Sequence, residues 1–176
     1  VNEDDEEDEE DEVASVVAGE TLEPRRRRRQ GQFSGYWKMA SCDNYAGYLE
    51  AIRIGAVTRR LVLRAPAYQT ISLRGAELEI TLKTIVAVKT VCAVGGPATK
   101  SQVRNQEFED RAFWDDNDTL VVVKKNLTRG YELTVKRTLT TDDSITVNTR
   151  VKDLKGNRPD ADFRQIFNRV TTPATK

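Results

Sequence analysis

The sequence predicts an all-β protein, a ten-stranded antiparallel up-and-down β-barrel with a helix-turn-helix lid after the first strand. Three observations carry that prediction. From Pro66 onward, apolar residues recur with period two in short segments rich in Ile, Leu, Val and Thr. Those segments are separated by Gly, Asp and Asn connections, and no helical stretch interrupts them. A helical period occurs once, between the first strand and the second. A sheet built this way removes its edges by closing, and a barrel of this size encloses a cavity as well as side chains.

The elements follow in order. Gly35 to Ser41 reads as a strand containing Tyr36, Trp37 and Met39, and the polar break at Cys42 to Asn44 supplies helix-capping residues. Tyr45, Tyr48, Leu49 and Ile52 recur at helical spacing. Gly55 breaks the pattern, and Val57, Leu61 and Arg64 continue it in a second short helix that stops before Pro66. Strands are expected over Tyr68 to Leu73, Leu78 to Thr84 and Val86 to Val94, then, past the turn at Gly95-Gly96-Pro97, over Thr99 to Val103 and Glu107 to Trp114. Leu120 to Lys125, Tyr131 to Thr138, Ile145 to Lys152 and Phe163 to Val170 complete the series. Phe33 and Trp37 read as a core plug, and Tyr45 and Tyr48 as the packing face of the first helix.

Composition sets the outer limits. The 176 residues suffice for one domain with a core, and 38% hydrophobic against 32% charged residues is a soluble balance. The formal charge of zero conceals two regions. Residues 1–32 hold twelve acids against the five arginines Arg25 to Arg29, a net of −7, which leaves +7 on the remainder. That arm has the charge runs of a disordered segment, as does a short tail over 171–176, so the folded domain is expected over 33–170. No signal-like segment opens the chain and no apolar run is long enough to cross a membrane, so the expected location is cytosolic, with nuclear entry open through the arginine run. Cys42 and Cys92 are too few for a disulfide framework and lack metal-ligand spacing.

An enzyme is not expected. The chain has no histidine, which removes the commonest general base and metal ligand. It has no phosphate-cradling glycine loop and no serine elbow, and the pairs Asp115-Asp116 and Asp142-Asp143 fall in turns, where aspartate bonds its own backbone. No cofactor or metal is expected.

The informative oddity is Tyr131 to Thr138. Alternation puts Leu133, Val135 and Arg137 on one face and Glu132, Thr134 and Lys136 on the other, so an apolar face ends in an arginine. A guanidinium facing a closed interior needs hydrogen-bonding or anionic company, and a bound carboxylate is one such partner. An internal acid or an ordered water is another.

The order of elements, together with Phe33-Ser34-Gly35-Tyr36-Trp37-Lys38-Met39, Asp43-Asn44-Tyr45, Tyr48-Leu49 with Ala51, Ala56 to Leu61 with Arg59-Arg60, and Arg164-Gln165-Ile166-Phe167-Asn168-Arg169-Val170, resembles the intracellular lipid-binding proteins. These are the fatty-acid-binding and cellular retinoid-binding proteins, and the likeness covers residues 33–170. It implies a carrier that holds one retinoid or long-chain fatty acid non-covalently inside the barrel, beneath the helical pair. It implies that Arg137 is the inward polar residue of the eighth strand, an arginine in acid binders. Gln165 and Phe167, with the G-Y-W-K-M opening, look like the cellular retinol-binding branch. Val135 and Tyr48 join the expected ligand contacts, and Val57, Val88 and Lys89, beside Leu61, are the expected portal positions. The resemblance also implies a monomer, transient contact with anionic membranes through basic lid residues and no stable nucleic-acid binding. Two departures are visible: the family's Gly-Glu-Phe-Glu segment is displaced to Glu107-Phe108-Glu109, and the loops at Thr140 and at Lys155 to Asp160 are long. A different class stays open, an interaction module whose charged arm recruits a nuclear or nucleic-acid partner.

Overall fold

The computed structural model describes residues 30–115 and 118–171. The chain divides into units 1–32 and 33–176. The predicted arm and tail, apart from residues 30–32 and 171, lie outside the described residues.

Residues 33–171 form one ten-stranded antiparallel sheet with two helices after its first strand. The elements are β1 (Gly35–Cys42), α1 (Tyr45–Ala51), α2 (Ala56–Arg64), β2 (Tyr68–Arg74), β3 (Glu77–Lys83), β4 (Ala87–Ala93), β5 (Thr99–Val103), β6 (Gln106–Trp114), β7 (Leu120–Asn126), β8 (Tyr131–Thr141), β9 (Ser144–Asp153) and β10 (Ala161–Val170). The order across the sheet is β4-β3-β2-β1-β10-β9-β8-β7-β6-β5, so the chain's first and last strands pair at its centre, with Trp37 opposite Arg169. Closure is incomplete. Among the described residues no ladder joins β4 to β5; an isolated bridge between Val94, just past β4, and Ala112 of β6, with Gly95 N–H donating to the Ala112 carbonyl at 2.8 Å, spans the gap. The expected closed barrel is therefore a nearly closed one with a seam.

Local chemistry explains the punctuation. Asn44 caps α1 from a left-handed conformation, φ 50°, its Oδ1 accepting from Gly47 N–H at 3.1 Å. Arg104 and Asn105 both have positive φ, which makes the β5–β6 connection a two-residue hairpin of the kind whose twist matches its strands. The displaced Glu107-Phe108-Glu109 segment thus enters β6 in an unbroken register, Val103 opposite Gln106 and Thr99 opposite Asp110. The long loop expected at Thr140 is instead strand, with a bulge between Leu139 and Thr141.

Two apolar layers fill the barrel. The deeper one contains Phe33, Trp37, Leu78, Leu120, Ile145 and Phe167. Trp37 and Phe33 are fully buried, and Trp37 Nε1 donates to the Phe33 carbonyl at 3.1 Å. The second layer, Tyr131, Leu133, Val151 and Phe163, lies under Tyr48, Ala51 and Ile52 of the helical pair. Val135 packs against both.

α2 faces the other way from its predicted orientation. Val62 is its buried residue, whereas Val57 and Leu61 are 75% and 54% exposed. The helix is apolar on two sides, and periodicity alone does not decide which side packs.

Gly35 accounts for the glycine of the Gly-x-Trp motif. Its φ is +145°, and a Cβ there would come within 2.5 Å of Arg169 Nη1, whose guanidinium lies 4.2 Å from the Trp37 ring and donates to the Ser34 carbonyl at 3.0 Å. Gly35→Ala is expected to lower stability by about 1–3 kcal/mol in chemical denaturation, through backbone strain and displacement of that arginine. An unchanged midpoint would refute this role.

Candidate functional site

Strand register places the interior residues in rows. Leu120, Arg137, Val147, Gln165 and Cys42 are consecutive cross-strand partners on β7, β8, β9, β10 and β1. Alternation then points Arg137 and Gln165 inward, on either side of Val147. One step deeper lies Phe167, opposite Met39 and Ile145. One step toward the helices lies the row Val122, Val135, Thr149, Phe163. Tyr48 of α1 meets Phe163 edge-on at 5.4 Å and stacks on Tyr45 at 6.3 Å.

Arg137 has no carboxylate partner among the described residues. Its Nε donates to Gln69 Oε1 at 3.2 Å, and Gln69, on β2, is only 1% exposed. That bond fixes the Gln69 amide with its carbonyl toward the guanidinium, which turns Nε2 away. Both Nε2 of Gln69 and Nη1 of Arg137 are buried with no hydrogen-bond partner. Burial pushes the Arg137 pKa down from its ordinary range to about 10, with Tyr48 and Cys92 partly opposing. The Tyr48 phenol is pushed above its usual range, first by burial and then by Tyr131 and Tyr45, against the positive charge of Arg137. Two unsatisfied donors, one of them cationic, are therefore buried in the barrel interior on two side chains that touch each other.

Gln165 is buried, and its Nε2 contacts Met39 Sδ at 3.5 Å. It also bonds the Cys42 thiol, which burial pushes up to about 11. Its donors are thus engaged with sulfur atoms. The portal positions separate. Val88 is inward, in the cross-strand row of Gln69 and Leu82, whereas Lys89 is on the outer face, exposed and paired with Glu79 at 2.9 Å. The structure does not bring Lys89 or the outward Val57 to the interior.

Three interior residues escaped the sequence reading: Gln69, Asp110 and Lys124. Lys124 Nζ donates to Asp110 Oδ2 at 3.1 Å and to Thr90 Oγ1 at 3.0 Å, and lies 4.6 Å from the centre of the Phe108 ring. Lys124 shares its strand face with Leu120 and Val122, the same signal that exposed Arg137.

The helical pair is fastened at its hinge. Arg53, φ 64°, donates from Nη2 to Asp153 Oδ1 at 2.8 Å, and Arg129 Nη1 donates to the carbonyls of Ile52 at 3.4 Å and Arg53 at 3.2 Å. Asp153 also accepts from the backbone N–H groups of Lys155 and Asn157.

No family model matches the chain. Over 127 residues it is 29% identical to fatty acid-binding protein 12 of Mus musculus, covering 72% of this chain and 94% of the relative. Over 101 residues it is 25% identical to cellular retinoic acid-binding protein 1 of Gallus gallus, covering 56% and 73%. Among solved structures, lipid binding protein 8 of Caenorhabditis elegans superposes with a TM-score of 0.65 at 12% identity, over 79% of this chain and 96% of that one. Human cRBP IV superposes with 0.62 at 20% identity, over 78% and 97%. In sequence and in fold alike, the chain resembles the intracellular lipid-binding proteins.

A cation whose native pKa is depressed opposes folding at every pH below that pKa, because the unfolded chain binds the proton more tightly; the penalty fades only as pH rises above about 10 toward the ordinary arginine range. Arg137→Gln is therefore expected to raise the stability of the ligand-free protein near neutral pH, by about 1–3 kcal/mol in denaturant titration. Loss of stability instead would mark the guanidinium as a structural strut.

Proposed function

We propose that the chain is an intracellular carrier that holds one elongated hydrophobic acid, a long-chain fatty acid or retinoic acid, with its carboxylate at Arg137 and Gln69. The observation that carries the reading is the pair of unpartnered donors, Arg137 Nη1 and Gln69 Nε2, between two apolar layers of the interior. A carboxylate supplies two acceptor oxygens and the missing negative charge, and charge-assisted bonds of this kind are the strong ones. The chain or polyene then runs past Val135 toward Phe163, Tyr48 and the helical pair, and burial of its apolar surface at about 25 cal/mol per Å² drives association. The matched relatives whose names include a ligand, fatty acid and retinoic acid, are named for acids. This favours the acid over the alcohol that Gln165 and Phe167 suggest, and Gln165 has its donors turned to sulfur. Such a carrier performs no covalent chemistry.

Delivery through the lid fits the outer face of α2. Val57, Arg60, Leu61 and Arg64 follow i, i+3, i+4, i+7 spacing and all four are exposed. An apolar stripe bordered by arginines suits transient contact with an anionic membrane.

Two outcomes are expected. Arg137→Gln should weaken binding of oleic or retinoic acid about 10- to 100-fold while leaving retinol affinity within a few-fold, read by displacement of a fluorescent probe; equal losses for acid and alcohol would sink the head-group assignment. Arg60→Gln with Arg64→Gln should reduce partition onto phosphatidylserine vesicles by about 1 kcal/mol per charge without changing ligand affinity. Undiminished partition in sedimentation would remove the membrane role.

A further inference from the structure

The Arg137–Gln69 pair does not exhaust the polar interior. Asp110 on β6 is 2% exposed and shares an inward face with Phe108 and Ala112. Its Oδ2 accepts from Lys124 Nζ, but its Oδ1 is buried with no hydrogen-bond partner. Lys124, by contrast, is saturated: Asp110, Thr90 and the Phe108 ring surround its ammonium. The cluster thus leaves one carboxylate oxygen, Asp110 Oδ1, as an acceptor without a partner.

Its position along the barrel is set by register. Arg137 is opposite Leu120 on β7, and Lys124, opposite Leu133, lies four residues further toward the helical pair. At about 3.3 Å per residue this is roughly 13 Å along the strand. A chain anchored by its carboxylate at Arg137 and extending toward Tyr48 passes Asp110 at mid-length.

We propose that Asp110 is a specificity-determining residue that selects acids carrying a hydrogen-bond donor, a hydroxyl, near the middle of the chain; this rests on the carrier reading above. Besides Arg53 Nε at the helical pair, the unsatisfied buried groups among the described residues are the complement of such a ligand: two donors, Arg137 Nη1 and Gln69 Nε2, for the carboxylate, and one acceptor, Asp110 Oδ1, for the hydroxyl. A ligand group that only accepts leaves the carboxylate oxygen unpaired, and a second carboxylate in mid-chain would meet it with like charge.

The test compares stearic acid, a mid-chain hydroxystearic acid and the keto acid of the same position, by displacement of a fluorescent probe from the full chain. Hydroxyl and ketone differ little in size but only the hydroxyl donates. The wild type is expected to bind the hydroxy acid about tenfold or more tighter than the keto acid. In Asp110→Asn the amide carbonyl stays with Lys124 and an N–H₂ replaces the free oxygen, so the keto acid should gain and the preference should vanish. Equal wild-type affinity for hydroxy and keto acids, with stearic acid bound, overturns the role of Asp110 and leaves the carrier reading intact. Failure of all three acids to bind overturns both. The wild-type ratio decides the matter even where Asp110→Asn does not fold.

Discussion

The interior holds a charge that is not neutralised near physiological pH, the guanidinium of Arg137. A carboxyl taken out of water can keep its proton and an ammonium can shed one, but a guanidinium stays cationic, so Arg137 imposes its desolvation cost on the fold at neutral pH. The response of the surrounding sequence is partial. Gln69 accepts one bond from Nε and holds the guanidinium in place, while Nη1 is left without a protein partner. A fully paired arginine would be a structural element. A half-paired one, packed between two apolar layers, keeps an unmet hydrogen-bonding and charge requirement in the folded state.

The polar interior is graded along the barrel axis. Apolar plug comes first, with Trp37, Ile145 and Phe167 in one cluster. The arginine row follows, then the Thr149 row, then the Asp110–Lys124 pair at the level of Leu133, and then Asn126, which donates to Gln106 and Tyr131 at the helical end. The lysine has a second effect on architecture. By reaching Thr90 on β4 from β7, it ties the walls together across the seam where β4 and β5 share no ladder. The same pair therefore stabilises an opening that backbone bonds leave unstitched and offers an unshared oxygen to whatever lies inside.

Strand after strand was legible because each carries a period of two between good turn formers, and the Arg137 signal was legible because one residue interrupts an otherwise apolar face. Lys124 gave the same signal on β7, but the run Leu120 to Val123 is apolar at every position, which hides the alternation that would have assigned Lys124 a side. Asp110 was hidden in a mixed strand of alternating charge. Gln69 could not be singled out, since a lone amide on a Tyr-Gln-Thr strand becomes significant only when a residue 68 positions away meets it. For α2, the sequence shows apolar residues on two faces and only tertiary contact chooses Val62 over Val57 and Leu61. The seam and the arginine fastening at the lid hinge depend on contacts between distant segments and have no local signature.

The pairing of β1 with β10 has a temporal consequence. Tyr36 and Val170 are neighbours in space, so the strand bearing Trp37 gains its second partner only after the last strand has been synthesised. Until then a nascent chain displays that edge and the apolar surface destined for the interior, and loop closure over almost the whole domain must precede the reward of the final ladder. The ladder between β1 and β10 therefore forms after the rest of the sheet has been made, and until then the unpaired edge is the surface most open to wrong pairing.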